Sequence, residues 1–113
     1  MSVNIALTGL RALDKKLDVT ANNVANVNTD NFKRSRAEFS ETRPAGVEVS
    51  IYTADTPGMI LPAEGSAPER ESSNVNIAEE LVDLITTEHY YTANLEVIRA
   101  EEETAQALID IIA

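Results

Sequence analysis

The sequence predicts a mainly α fold: two long terminal amphipathic helices forming an antiparallel coiled-coil-like pair, with a short β-hairpin and loop insertion between them. Three observations predict it. Apolar residues recur at 3-4 spacing near both ends of the chain, which marks one buried stripe on each of two helices. All four prolines fall between those segments, within residues 44–72. Hydrophobic residues make up 43% of the chain but aromatics only 4%, with no Trp. That composition suits a globular or coiled-coil chain without a thick aromatic core. At 113 residues the chain suits one domain, 1–113, small enough that a partner adds useful stability.

The first helix is predicted over residues 3–27. Val3, Ala6, Leu10, Leu13, Leu17, Thr20, Val24 and Val27 keep strict 3-4 spacing. Asn26, Asn28, Asp30 and Asn31 then supply residues that tolerate turns and left-handed backbone, so the helix should stop near Asn26. Residues 28–43 follow as a turn and connector. In the insertion, 44–72, Val47, Val49 and Ile51 alternate with Glu48, Ser50 and Tyr52, the period of a half-buried strand. Thr56-Pro57-Gly58 marks a turn, and Met59-Ile60-Leu61 is expected to return as a second short strand.

The last helix is predicted over 77–112, started by Asn76 as cap with Glu79 three residues on. Ile77, Leu81, Leu84, Tyr91, Leu95, Ile98, Ala105, Ile109 and Ile112 form its stripe, with Glu88 and Glu102 in the two remaining places. At about 1.5 Å per residue it outruns the first helix by roughly 18 Å. Both stripes are expected to be buried, in a hairpin or by exchange between chains. The overhang should expose Leu95, Ile98, Ile109 and Ile112 and ask for a partner.

Charge and composition exclude several functions. The net charge is −10, with +2 on residues 1–43 and −12 on the rest, which opposes nucleic-acid binding. The basic cluster Lys33, Arg34 and Arg36 suits acidic protein surfaces better. There is no Cys, hence no disulfide, thiolate zinc site or cysteine nucleophile. No segment has the roughly 18 apolar residues of a membrane helix, so no membrane insertion is expected. Met1 to Leu10 lacks a basic region followed by a long apolar one, so no cleaved signal peptide is expected. His89, the single histidine, has no ligand or catalytic partner at helical spacing and reads as a surface residue. The run Glu101-Glu102-Glu103 spreads around the helix rather than converging on a cation. No catalytic, metal or cofactor-binding residue is predicted, and no enzyme.

The segment Ala21-Asn22-Asn23-Val24-Ala25-Asn26-Val27-Asn28-Thr29-Asp30-Asn31-Phe32-Lys33-Arg34 resembles the signature of bacterial flagellar rod and hook proteins. The far end is similar as well, in Ser73-Asn74-Val75-Asn76-Ile77-Ala78-Glu79-Glu80-Leu81-Val82 and in Tyr91-Thr92-Ala93-Asn94-Leu95-Glu96-Val97-Ile98. With its short middle and Gly46-Val47-Glu48-Val49, the chain looks most like a small proximal-rod protein. Asn31 stands where the family has Gly, and Asn is the next-best left-handed residue.

The resemblance implies a single rod-type domain and a structural subunit of the basal-body rod, polymerising through its terminal helices. It also implies export through the flagellar export apparatus and partners among other rod proteins and copies of itself. Subunit contacts are then expected at Leu10, Leu13, Leu17, Asn22, Asn23, Asn26, Phe32, Tyr91, Asn94, Leu95 and Ile98. From chemistry alone, the asparagines either end the helix or bridge two chains, since each carboxamide both donates and accepts. A coiled-coil adaptor or export-linked protein is the alternative reading.

Overall fold

A computed structural model describes residues 2–112, in the order α1 (Ser2–Ala25), β1 (Ser35–Glu41), β2 (Val47–Thr53), β3 (Ile60–Leu61), β4 (Arg70–Glu71) and α2 (Ile77–Ile112). The molecule is a slender body of 80 × 24 × 14 Å. Helix α2, whose 36 residues span about 54 Å, accounts for most of that length.

The helices run antiparallel. Gly9 of α1 lies against Asn94 of α2, and Asn23 hydrogen-bonds Glu80, so advancing along one helix retreats along the other. A β-carbon on Gly9 would stand 3.1 Å from the Asn94 Oδ1, and its absence lets the helices come this close. Ala6, Leu10, Leu13 and Thr20 of the predicted α1 stripe are buried, while Leu17 stays 41% exposed. A second stripe, Ala12, Val19 and Asn23, is buried beside the first. It lies beneath the β1–β2 hairpin, where the Thr8 hydroxyl accepts from the Val47 amide at 3.1 Å and the Lys16 ammonium sits 5.6 Å from the Phe39 ring centre. Helix α1 is thus covered on two sides.

The hairpin differs from the expected one. Residues 35–41, placed in the connector by the sequence reading, form β1 and pair antiparallel with β2, Phe39 opposite Val49 and Ala37 opposite Ile51. Residues 60–61 do form a strand, but its partner is 70–71. The reason is local: turn 42–46 closes a tight hairpin, with the Thr42 amide donating to the Gly46 carbonyl. The chain around Gly58 is held instead against Ser72, so close that any β-carbon would lie 1.9 Å from the Ser72 carbonyl oxygen.

Helix ends follow the expected chemistry. Asn31 takes the left-handed conformation, φ 63°, as the Asn-for-Gly substitution requires. The Asn76 carboxamide oxygen accepts from the amides of Ala78 and Glu79 at 3.0 and 3.4 Å. The Glu79 carboxylate turns away to Arg34 and Arg36.

The predicted α2 stripe is corrected by the structure. The residues of α2 that are buried within the chain are Glu80 and Thr87, with Tyr91, Asn94 and Ile98 half-buried. Ile77 and Leu81 are exposed where burial was expected; Leu95, Ile109 and Ile112 are exposed as expected of the overhang, and Ile98 is half-buried instead. The contact stripe is rotated toward polar residues because Glu80 is captured by Asn23, and the Thr87 hydroxyl is satisfied in the buried stripe by donating to the Asp83 carbonyl.

Candidate assembly surface

Two features meet at the α1–α2 junction: a polar node that locks the fold, and an apolar surface that the fold leaves open. At the node Asn23 is 1% exposed and fully engaged. Its Nδ2 donates to the Ser35 carbonyl at 2.9 Å and to Glu80 Oε1 at 3.2 Å, and its Oδ1 accepts from the Ser35 amide at 2.9 Å. One side chain therefore joins α1, the start of β1 and the start of α2. Glu80, also 1% exposed, stands 4.0 Å from the Arg36 guanidinium. Arg36 also reaches Glu79 at 2.8 Å and Asp83 at 3.4 Å, and Arg34 reaches Glu79 at 3.2 Å. The basic cluster meets the acidic first turns of its own α2.

A second node fastens the loop. The Asn74 Oδ1 accepts from the Arg34 amide at 2.6 Å, and its Nδ2 donates to the carbonyls of Ala54 and Thr56, both at 2.8 Å. Glu71 accepts from Lys33 and from the Gly58 amide, the latter at 2.8 Å. These bonds, the Lys33 contact foremost, hold the Glu71 carboxyl below the usual carboxylate range.

The open surface runs along the helix pair. Leu13, Leu17, Leu84 and Tyr91 line a groove of about 450 Å³ between α1 and α2, rimmed by Asp14 and Glu88. Leu81 and Leu95 flank it, 49% and 45% exposed. Beyond it, every residue from 101 to 112 is exposed. Among the described residues no group of His, Asp and Glu could hold a metal, and no helix is long and apolar enough to cross a membrane. His89 is exposed.

The residues expected at subunit contacts separate into three sets. Leu10, Leu13 and Asn23 are buried within the chain. Asn26, Phe32, Tyr91, Asn94 and Ile98 are half-buried, and Leu17, Asn22 and Leu95 are exposed. Asn26 ends α1 with its own carboxamide, donating to the Asn22 carbonyl at 2.9 Å and accepting from the Thr29 hydroxyl at 3.1 Å. Sequence reasoning missed Glu80, Arg36 and Asn74 as organising residues. The signals were a Glu near the start of a helix facing an Asn-rich helix end and, for Arg36, a basic cluster suited to an acidic surface.

The fold is thus an extended helix pair with a polar lock and an open apolar groove. Comparison with known proteins makes this specific. Residues 3–33 match the family described as flagella basal body rod protein, and residues 70–111 match the flagellar basal body rod FlgEFG protein C-terminal family. The flagellar basal-body rod protein FlgC of Borreliella burgdorferi is 28% identical over 98% of this chain and 95% of its own length. The rod protein FlgG of Buchnera aphidicola subsp. Baizongia pistaciae is 40% identical over 66% of this chain. The flagellar hook protein FlgE of B. burgdorferi is 29% identical over 77% of it. This chain spans 32% of that FlgG and 18% of that FlgE. It belongs to the flagellar basal-body rod protein family.

Proposed function

We propose that this chain is a structural subunit of the flagellar basal-body rod that polymerises through its terminal helices, has no catalytic activity, and resides in the basal body. The observation that carries the reading is the pairing of two family matches, one on each helix, with an apolar α2 face left open by the fold. Open axial assembly needs heterologous contacts, in which one patch meets a different patch on the next subunit. The α1–α2 groove and the exposed Leu17, Leu81 and Leu95 supply one such patch, and Asn22, on the hairpin side of α1 with Val19, Ser35 and Ile51, supplies a separate contact. Leu10, Leu13 and Asn23 act from inside, by fixing the shape of that patch. Other axial proteins of the rod and hook are the natural neighbours, and the flagellar export apparatus delivers the chain.

The test is retention in purified basal bodies. The wild-type chain should co-purify with them, and Leu95→Asp should be lost from them while keeping its helicity in solution. Wild-type motility and retention of that variant would reject the proposed contact.

A further inference from the structure

The groove between α1 and α2 has an apolar floor and two acidic banks. Leu13, Leu17, Leu84 and Tyr91 make the floor, with Leu17 41% and Leu84 38% exposed. Asp14 stands on the α1 bank and Glu88 on the α2 bank. The contacts of Gly9 with Asn94 and of Asn23 with Glu80 fix the antiparallel register, which sets Asp14 level with about residue 89. The two carboxylates therefore flank the same stretch of leucine.

Neither has a cation beside it. At the start of α2 the chain neutralises itself, with Arg34 and Arg36 set against Glu79, Glu80 and Asp83. Among the described residues Asp14 and Glu88 take part in no ion pair. Both are exposed and solvated in the isolated chain. A helix laid on the leucines would strip that water. If wholly apolar, it would leave two carboxylates unpaired at a covered edge, and if acidic, it would add repulsion. A helix with Lys or Arg at that level meets both demands.

We infer that the groove takes a helix of a different chain, one that carries Lys or Arg among apolar residues. This rests on the rod reading and names the kind of neighbour which that reading leaves open. A second copy fits poorly. Arg99 is the only Lys or Arg of α2, and it already pairs with Glu96. On the exposed side of α1, Arg11 and Lys15 alternate with Asp14 and Asp18, so no cationic stripe forms. The net charge of −10 opposes self-pairing further. Leucine burial supplies the affinity at this groove, and the two carboxylates choose the occupant.

Retention in purified basal bodies tests the choice, with photocross-linking to show the neighbour. Asp14→Lys with Glu88→Lys should lower retention by at least about tenfold, because the banks then repel the occupant's cation. Asp14→Glu with Glu88→Asp keeps the charge and should stay within about twofold of wild type. Glu64→Lys with Glu69→Lys makes the same change of net charge in the exposed loop, and it should also stay within about twofold. A photoreactive benzophenone side chain placed at Thr92, on the groove wall, should join a Lys- or Arg-bearing helix of another axial protein.

Adducts to a second copy or to an acidic helix would overturn the inference. So would full retention of the Asp14→Lys, Glu88→Lys variant, or equal loss of the loop variant, which would make net charge the cause. In each of these cases the wild-type chain is still found in basal bodies and the rod reading stands. Absence of the wild-type chain from them would overturn the rod reading, and this inference with it.

Discussion

The two helices have similar apolar content and opposite fates. Helix α1 buries two adjacent stripes, one against α2 and one under the hairpin, and supplies the buried apolar side chains Ala6, Leu10, Ala12, Leu13 and Val19. Helix α2 answers with a narrow stripe whose fully buried members are Glu80 and Thr87, and it leaves Leu81, Leu95 and Ile109 in water. Apolar periodicity therefore does not by itself mark a surface that the chain buries. Here α1 spends its apolar surface on the fold, while α2 leaves most of its own uncovered.

The comparison breaks most sharply on paired leucine substitutions. Leu13→Ala should cost about 2–4 kcal/mol of folding stability, from lost burial and a residual cavity. Leu95→Ala should stay within about 0.5 kcal/mol, as an exposed position does. Urea unfolding of the two variants checks this, and equal losses would erase the distinction between the helices.

Asn23→Ala tests the lock that joins them. It orphans the Ser35 amide and carbonyl and leaves the Glu80 carboxylate without its amide donor, at about 1–3 kcal/mol per buried group that water does not rescue. A total loss of about 2–3 kcal/mol is expected, with the hairpin amides exchanging faster than those of mid-α1. A loss below about 1 kcal/mol would reduce Asn23 to a helix-end residue.

Asn31→Val sharpens the contrast at the exit from α1. A β-branched residue at φ 63° should cost about 1–2 kcal/mol, whereas Asn31→Gly should be neutral or slightly stabilising. Thermal melting of the pair measures it.

The smallest effect is pH-dependent and confined to the loop. Because the Glu71 pKa is lowered in the folded chain, its contribution is complete above the ordinary carboxylate value and is lost as the pH falls below that value toward the lowered one. Hydrogen exchange at Gly58 should rise over that acidic window in wild type, and Glu71→Gln should remove the pH dependence.

Much of this architecture was legible from local chemistry. The α1 stripe, the stop near Asn26, the left-handed Asn31 and the Asn76 cap each depend on residues within one turn of one another, where spacing and side-chain type suffice. Strand β1 was not legible, since Ser35–Glu41 offers only Ala37 and Phe39 as an apolar alternation among charged and hydroxyl residues. Its partner was missed for the same reason, as strand pairing is a long-range choice. The face that α2 turns to α1 was hidden because a buried Glu–Asn hydrogen bond between residues 57 positions apart overrides the apolar pattern. The separation of the expected contact residues into buried and exposed sets followed from that rotation.

The neck where Gly58 presses on Ser72 has a consequence for how the chain can change length. Ser72 donates its amide to the Met59 carbonyl, and its hydroxyl accepts from the Met59 amide, so the ends of the intervening segment stand one strand spacing apart. Below the neck, Asn74 and Glu71 already satisfy the backbone of the base. The segment above it thus works as a socket: a graft whose two ends emerge side by side can replace residues 61–70, leaving Glu71 in place, without disturbing the helix pair.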